Sequence, residues 1–236
     1  MGADGGTIAK RKDILTLHTS LDSKRSNHTN VGFDNELILL NSCGISALPL
    51  YTKSNDPIVG DYKGRLYLKE KILQYIIDSK QDKSKINPKF NHINSLKDLC
   101  DVIVAEWDKN TNGGPCIRCP ITKISGGRCT YGYLRPCGCL MSYKAISDLN
   151  HKNSSQDKCP NCDTPFDNSC DVVIVNPLGK DEYNKVNQRS YEQLQKLHLS
   201  HSKKPLKKSK KEKNVSSTRK RSADSQPEIP SKRTKV

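Results

Sequence analysis

Four of the ten cysteines in this chain form two short pairs, and their spacing constrains the fold more than any other feature. The pairs are Cys137-Gly-Cys139 and Cys159-Pro-Asn-Cys162. Structural zinc sites take four sulfur or imidazole ligands in a tetrahedron, commonly supplied as two such pairs. The glycine within the first pair lets the backbone turn tightly enough for both sulfurs to face inward. The sequence therefore predicts one zinc ion bound by Cys137, Cys139, Cys159 and Cys162.

The cellular compartment decides whether clustered cysteines form disulfides or bind metal. The first residues, MGADGGTIAKRKDI, lack the apolar segment of a secretory signal. No stretch of the sequence reaches the ~20 apolar residues that a membrane span needs. We therefore expect an intracellular chain without membrane contact, whose reduced thiols favour metal, with structural disulfides as the alternative.

Charge and hydrophobicity divide the chain unevenly. Of its 236 residues, 33% are hydrophobic and 28% are charged, so the whole length cannot form one packed core. Residues 199–236 contain 13 Lys and Arg against three Asp and Glu, which indicates a basic tail without a fold. The expected segments are an N-terminal arm (1–32), a first compact unit (33–79), a linker with a short helix and a strand (80–115), a second unit (116–180), a helix (181–199) and a disordered basic tail (200–236).

Apolar spacing predicts the regular elements within these segments. Ile72, Leu73, Ile76 and Ile77 indicate a buried stripe on a helix from about residue 69 to 78. Further helices are expected near 142–149 and over 181–199, the latter with an apolar face of Tyr183, Val186, Tyr191, Leu194 and Leu197. Ser95 followed by Asp98 predicts a capping box that opens a short helix. Strands are expected at 102–107, 128–134 and 171–175.

The cysteine pattern of the second unit indicates a RING-like domain with one of its two ion sites missing. A RING interleaves eight ligands around two ions. If Cys119 is the first ligand, the second ligand position falls on Thr122, and the fifth and sixth fall on Ser142 and Ala145. None of these three side chains can take the place of a cysteine or histidine ligand. We therefore expect hydrogen bonds to fill the first site, as in the U-box relatives of the RING.

An alternative is a second zinc ion. In it Cys116 and Cys119, the secondary metal-ligand candidates, bind together with Cys129 and Cys170.

A short internal repeat suggests that the first unit has the same fold. Cys43-Gly-Ile-Ser resembles Cys119-Pro-Ile-Thr, and aligning Gly64 with Gly138 also aligns Leu66 with Leu140. Arg65 then occupies the position of Cys139, so the first unit would lack metal; chance similarity is the alternative. The predicted fold class is α+β, with two tandem RING/U-box-like units, the first without zinc and the second with one zinc, followed by a helix and the tail.

Several motifs in order resemble the replication termination factor 2 family over roughly residues 1–180. They are MGADGGTIAKR at the start, PIVGDYKGRLYLKEKIL (57–73), HINSLKDL (92–99), CPIT (119–122), RPCGCLMSYKAI (135–146), CPNC (159–162) and DVVIVNP (171–177). The resemblance implies a nuclear protein with a divergent RING and one zinc, which acts at stalled or paused replication forks. Some members are linked to pre-mRNA splicing. The family motif counts Cys119, and Cys139 stands where some members have His.

A RING or U-box domain performs no chemistry itself but holds a charged E2 conjugating enzyme. Ile121 and Pro160 match the E2-contacting positions of such domains, whereas Asp163 stands where active RINGs often have a basic residue. No other catalytic set is evident in the sequence. We therefore expect a non-enzymatic factor that binds replication-fork proteins, with an E3 ubiquitin or SUMO ligase or a splicing-associated adaptor as alternatives.

The basic tail predicts nuclear import, or sequence-independent binding of nucleic acid through its phosphates. A solvated tail that only maintains solubility is the alternative. The import candidates are Lys207, Lys208, Lys210, Lys211, Arg219, Lys220 and Arg221.

Overall fold

The computed structural model describes residues 10–20, 33–109, 114–149, 157–177 and 181–206. The chain divides into one compact unit of Met1–Pro205 and a second of Leu206–Val236, of which only Leu206 is described. Residues 1–9 and 21–32 of the expected arm, and the tail with all seven import candidates, lie outside the described residues.

Helices and short strands follow one another in mixed order along the described part of Met1–Pro205. The helices are α1 (Arg11–Ser20), α2 (Phe33–Asn41), α3 (Lys69–Gln81), α4 (Tyr143–Leu149) and α5 (Asp181–Lys196). The strands are β1 (Ile58–Gly60), β2 (Leu66–Leu68), β3 (Cys100–Val102), β4 (Glu106–Asp108), β5 (Cys116–Arg118), β6 (Tyr131–Leu134), β7 (Leu140–Ser142), β8 (Asp157–Lys158), β9 (Pro165–Phe166) and β10 (Val172–Ile174). Short 3₁₀ helices lie at Lys83–Lys85, Pro88–Phe90, Leu96–Asp98 and Gly126–Arg128. The capping box predicted at Ser95 and Asp98 is present.

The strands form small antiparallel sheets, which confirms a mixed α and β fold. The first sheet has the order β2-β1-β3 and the second has the order β7-β6-β10. In each sheet a hairpin leads into a helix, α3 or α4, and a later strand pairs with the free edge of the first strand. The two sheets therefore have the same strand connection, while β4 with β5 and β8 with β9 form separate two-stranded pairs.

Each hairpin turn contacts the end of the third strand of the other sheet. Asn176, just after β10, donates its backbone N–H to the Gly64 carbonyl at 2.9 Å, and Ile103, just after β3, donates to the Gly138 carbonyl at 2.7 Å. Both glycines have positive φ, 83° and 72°, and a side chain at either would collide with a backbone carbonyl of the facing strand. The two turns therefore require glycine for conformation and for space.

The seam between the two sheets is closed by a buried tyrosine. Tyr133 of β6 donates its hydroxyl hydrogen to the carbonyl oxygen of Asp61, just after β1, at 2.8 Å. A Cβ added to Gly60 would lie 2.9 Å from the Tyr133 ring. The first sheet thus approaches the second closely enough that no side chain fits between them.

The segment 80–115, expected to be a linker, contributes to the core. Phe90, Ile93 and Leu99 from this segment are buried in one hydrophobic cluster with residues of both sheets. They lie among polar residues without helix or strand periodicity, which is why the sequence indicated a spacer. The two predicted units therefore share a continuous core.

Helix α3 extends further than predicted and buries a narrower stripe. Ile72 and Ile76 are buried, as expected, but Ile77 is 48% exposed. A helix with one face against a small sheet buries positions four apart, and the neighbouring position turns to solvent. The prediction that Ile77 belongs to the buried stripe was wrong.

Helix α5 buries polar side chains where the sequence predicted an apolar face. Its buried residues are Asn187, Ser190 and Leu194, whereas Leu197 lies beyond the helix end and is 59% exposed. The Asn187 side chain accepts from the Ile174 N–H at 2.7 Å and donates to the Ile174 carbonyl at 2.8 Å. Ser190 donates to the Val172 carbonyl. Helix α5 thus satisfies the open edge of β10 as another strand would.

Both flanks of the expected folded region pack against it. In the arm, His18 of α1 is buried and its Nε2 lies 2.8 Å from Ser42 Oγ. The Ser42 hydroxyl donates its hydrogen to the Ile38 carbonyl, so His18 is the donor in its bond with Ser42. Burial lowers the pKa of His18 to about 4. At the other end the tail was expected to start at residue 200, yet His201 is buried.

We expect the change Asn187→Leu to lower the free energy of unfolding by about 2–4 kcal/mol, because both backbone groups of Ile174 would lose their partner inside the protein. Asn184→Leu, at an exposed position of the same helix, is the matched control and should have little effect. Urea unfolding followed by circular dichroism measures both. Equal stability of the two variants would contradict the role given to Asn187.

Candidate metal centre

Three cysteines open turns of the same construction. The N–H of the cysteine donates to the carbonyl five residues later, and its carbonyl accepts from the N–H four residues later. The turns are Cys43–Leu48, Cys119–Ile124 and Cys159–Thr164. The fifth residue of each turn has positive φ: Ala47 52°, Lys123 58° and Asp163 58°. We call these turns the first, second and third knuckle.

The third knuckle faces the turn between β6 and β7, and together they bring four sulfurs into one cluster. The Sγ atoms of Cys137, Cys139, Cys159 and Cys162 all lie within 4.8 Å of one another. The Cys139 and Cys162 sulfurs are 3.6 Å apart. Tetrahedral zinc with bonds of about 2.3 Å would separate its sulfurs by about 3.8 Å. The cluster could therefore hold a metal ion.

The pKa shifts within the cluster follow the burial and the hydrogen bonds of the individual thiols. Burial raises the pKa of Cys137, and it raises the pKa of Cys139 to about 11. Cys162 is exposed, and a hydrogen bond with the Thr164 hydroxyl lowers its pKa to about 7. Asn161 donates its side-chain N–H to Cys139 Sγ at 3.4 Å. Buried thiols ionise together only when a positive charge offsets the cost, which a divalent ion supplies.

Hydrogen bonds surround Cys119, where a complete RING would have its other ion. Cys119 is buried, and its sulfur accepts from the Thr122 N–H at 3.3 Å and the Ser142 N–H at 3.2 Å. Although burial acts in the opposite direction, these bonds lower the pKa of Cys119. Thr122 and Ser142 stand at two of the three positions where the sequence predicts that a RING ligand is missing. Their backbone groups bind the sulfur instead.

The alternative second ion, with Cys116, Cys119, Cys129 and Cys170, finds no support in the geometry. Within the described ranges the four-sulfur cluster is the one group of three or more close metal-ligating atoms. Cys170 lies at a different place, where its carbonyl accepts from Arg135 and its thiol is beside Asp171.

The comparisons with known proteins agree with this geometry. A family model described as Rtf2 RING-finger matches residues 1–236. The chain belongs to this family. Among the similar curated proteins, "Replication termination factor 2" of Sus scrofa is 28% identical over 196 residues, which are 77% of this chain and 58% of the relative. The Gallus gallus protein of the same name is 28% identical over 198 residues, with the same coverage.

A relative from Schizosaccharomyces pombe has a different name. It is called "Splicing factor rtf2" and is 28% identical over 183 residues, which are 75% of this chain and 66% of that protein. The chain thus covers 58% of the length of the two animal proteins and 66% of the fungal one.

The E2-contact candidates of this Rtf2-family chain lie on two of the knuckles. Ile121 on the second knuckle is 43% exposed, and Pro160 on the third is half-buried. Ile124 closes the second knuckle and is 39% exposed; it was not among the sequence candidates. Its place in the turn, five residues after Cys119, is the signal that could have identified it.

A buried carboxylate organises the first sheet, and nothing in the sequence of this Rtf2-family chain indicated it. The side chain of Asp61 accepts from the Arg65 N–H at 2.9 Å, from the Tyr67 hydroxyl at 2.8 Å and from His92 at 2.8 Å. Burial alone would raise the pKa of Asp61, but the hydrogen bond from His92 and nearby positive charge lower it. Asp61 is therefore an ionised structural centre.

The described helices include none that is both long enough and apolar enough to cross a membrane.

We expect Gly138→Ala to weaken metal binding, because the added Cβ would push the turn that bears Cys137 and Cys139 away from the Asp101 carbonyl. Gly114→Ala is a matched control: Gly114 also has positive φ, 93°, but a Cβ there meets nothing within 4 Å. The control should cost only the strain of the left-handed backbone, about 1–2 kcal/mol. Competition with a chromophoric chelator measures metal affinity. Equal affinities for Gly138→Ala and Gly114→Ala would contradict the link between the Gly138 turn and the metal site.

Proposed function

We propose that this chain is a nuclear factor that acts at stalled or paused replication forks, in fork arrest or site-specific termination, through protein contacts made by its divergent RING. Membership of the Rtf2 RING-finger family carries the proposal, and the name "Replication termination factor 2" of the Sus scrofa and Gallus gallus relatives supports it. Ile121 and Ile124 on the second knuckle are exposed and available for such contacts.

The proposed architecture has two tandem RING/U-box-like units, the first without metal. The shared strand order of the two sheets supports this relation. So does a second equivalence: the sulfur of Cys43 accepts from the N–H of Leu68, as the sulfur of Cys119 accepts from that of Ser142. Leu68 and Ser142 are the last residues of β2 and β7.

The proposed cofactor is one zinc ion on Cys137, Cys139, Cys159 and Cys162. Four cysteine sulfurs supply a complete tetrahedral ligand set, which suits zinc in a closed, structural site. The ion would hold the third knuckle to the turn between β6 and β7, and it would supply no reaction.

We expect the purified chain to contain one equivalent of zinc. Cys159→Ser should abolish zinc binding and unfold the second sheet, because structural zinc contributes about 10 kcal/mol or more to folding. Cys129→Ser, at a partly buried thiol outside the cluster, is the control and should retain the metal. Mass spectrometry of the metal content and circular dichroism measure the two effects. Two equivalents of zinc, or metal loss in the control, would contradict the single site.

The nuclear location is proposed from the basic tail and from the relatives' names. Lys207, Lys208, Lys210, Lys211, Arg219, Lys220 and Arg221 remain the import candidates. The same charges would bind nucleic acid without sequence preference. Because His201 packs into the body, the deletion that tests import is 207–236 and not 200–236.

We expect the tagged chain, purified from cross-linked nuclei of replicating cells, to be enriched in replication-fork proteins. Ile121→Lys combined with Ile124→Lys should remove these partners and leave the fold intact, since both side chains are exposed. Ile77→Lys, an exposed isoleucine on α3, is the matched control. Recovery of spliceosomal proteins instead would favour the splicing role that the name of the Schizosaccharomyces pombe relative suggests.

A second candidate is an E3 ubiquitin or SUMO ligase, favoured by the exposed Ile121 on the second knuckle and the half-buried Pro160 on the third. Asp163 argues against it, because a carboxylate cannot replace the basic residue that active RINGs often have there. Conjugation assays of the zinc-loaded chain with a panel of E2 enzymes distinguish the two functions, and no conjugation with any E2 would end the ligase proposal.

A further inference from the structure

The residues that follow α5 form a closed loop against the body, although their composition resembles the basic tail. Leu199 and Pro205 pair at the two ends of this loop. Within it Ser200 donates its N–H to the Lys204 carbonyl at 2.9 Å, and Lys203 donates to the Ser200 carbonyl at 2.8 Å. We call residues 199–205 the strap.

The imidazole of His201 is the inner end of the strap and is 1% exposed. Its Nδ1 accepts from Nε of Arg135 at 3.0 Å. A guanidinium only donates, so Nδ1 carries no proton and the ring hydrogen is on Nε2. Nε2 then donates to the Tyr133 hydroxyl at 2.9 Å, and that hydroxyl donates to the Asp61 carbonyl. A single side chain of the strap therefore connects to both sheets.

Lys203 is the electrostatic anchor of the strap. Its Nζ lies 2.8 Å from each oxygen of the Asp171 carboxylate, which is fully buried. The Asp171 carboxylate also accepts from the Asp167 N–H at 2.8 Å. Removing the partner of a buried charge is far costlier than removing a surface ion pair. Lys203 is thus held in place because the buried carboxylate of Asp171 needs a cation beside it.

The outer end of the strap is attached to the 80–115 segment, at Lys97. Lys97 donates from Nζ to the Pro205 carbonyl at 3.0 Å, and its own carbonyl accepts from the Ser202 N–H at 3.1 Å. Lys97 lies in the 3₁₀ helix that precedes β3. The strap therefore contacts the second sheet through Arg135 and Asp171 and the β3 side of the first sheet through Lys97.

We propose that the strap is a latch that holds the two sheets together across their seam, and that Lys203 belongs to this latch and not to the basic cluster of the tail. Loss of the His201 ring or of the Lys203 charge opens it. The two lysines are adjacent in the sequence, but Lys203 forms an ion pair with Asp171 and Lys204 is exposed.

The first test compares amine reactivity in the full, zinc-loaded chain. Brief treatment with limiting acetic anhydride, followed by peptide mass spectrometry, gives the labelling rates of Lys203 and Lys204. We expect Lys203 to react roughly tenfold more slowly, because its labelling requires local opening of the strap. Equal rates would overturn the assignment, and this comparison needs no variant to fold.

The second test uses matched substitutions in the full chain. His201→Leu should raise the labelling rate of Lys203 to that of Lys204 and accelerate amide hydrogen exchange in β1 and β6. His198→Asn, at an exposed histidine with φ of 55°, should change neither. Unchanged labelling of Lys203 in His201→Leu would show that the strap does not depend on the imidazole and would overturn the latch.

The third comparison isolates the charge of Lys203. Lys203→Gln should lower the melting temperature by about 5 °C or more and accelerate exchange in β6, because Asp171 loses its cation. Lys203→Arg keeps the charge and should stay close to the native protein, as should Lys204→Gln at the exposed neighbour. Equal melting temperatures for Lys203→Gln and Lys204→Gln would overturn the role of Lys203.

Discussion

The reciprocal contact between each hairpin turn and the third strand of the other sheet is the constraint on which the rest of this fold depends. Three strands of three or four residues offer little hydrophobic face, so each sheet depends on what packs against it. Because the Gly64 turn hydrogen-bonds to Asn176 and the Gly138 turn to Ile103, each sheet supplies the surroundings that the other lacks. This arrangement accounts for the single core and for the buried polar groups at the seam. It also accounts for the packing of the 80–115 segment into that core.

A buried carboxylate in the first sheet stands beside the turn that corresponds to the cysteine-bearing turn of the second sheet. In the second sheet, the turn at Gly138 lies between two of the clustered cysteines. In the first sheet, the equivalent turn at Gly64 precedes Arg65, whose N–H bonds to the carboxylate of Asp61. Asp61 gathers donors from Arg65, Tyr67 and His92 as an ion gathers ligands, with the opposite sign of charge. A buried carboxylate thus holds the turn that a cation would hold in the second sheet.

Local patterns allowed much of this structure to be predicted. Cysteine spacing identified the cluster that the structure brings together, and apolar periodicity with a capping signal at Ser95 located α3, α4, α5 and the 3₁₀ helix. The failures share a physical cause, which is that polar side chains become buried through partners far away in sequence. Asn187 resembled a surface residue because its partner is a strand edge, and His201 resembled tail because Arg135 and Tyr133 are distant. The prediction that Ile77 is buried failed for a different reason, since the sheet beneath α3 is too small to cover both Ile76 and Ile77.

The three knuckles owe their shape to backbone hydrogen bonds and to backbone conformation. Each turn is closed by two backbone hydrogen bonds and one residue with positive φ, and neither feature needs an ion. In the second knuckle the sulfur of Cys119 also accepts hydrogen bonds from the N–H groups of Thr122 and Ser142. Ile121 and Ile124 are consequently presented to solvent from a loop that its own hydrogen bonds close. An apolar pair on a loop that is already ordered by such bonds loses less entropy on binding than one on an unstructured segment, which suits a surface for protein contacts.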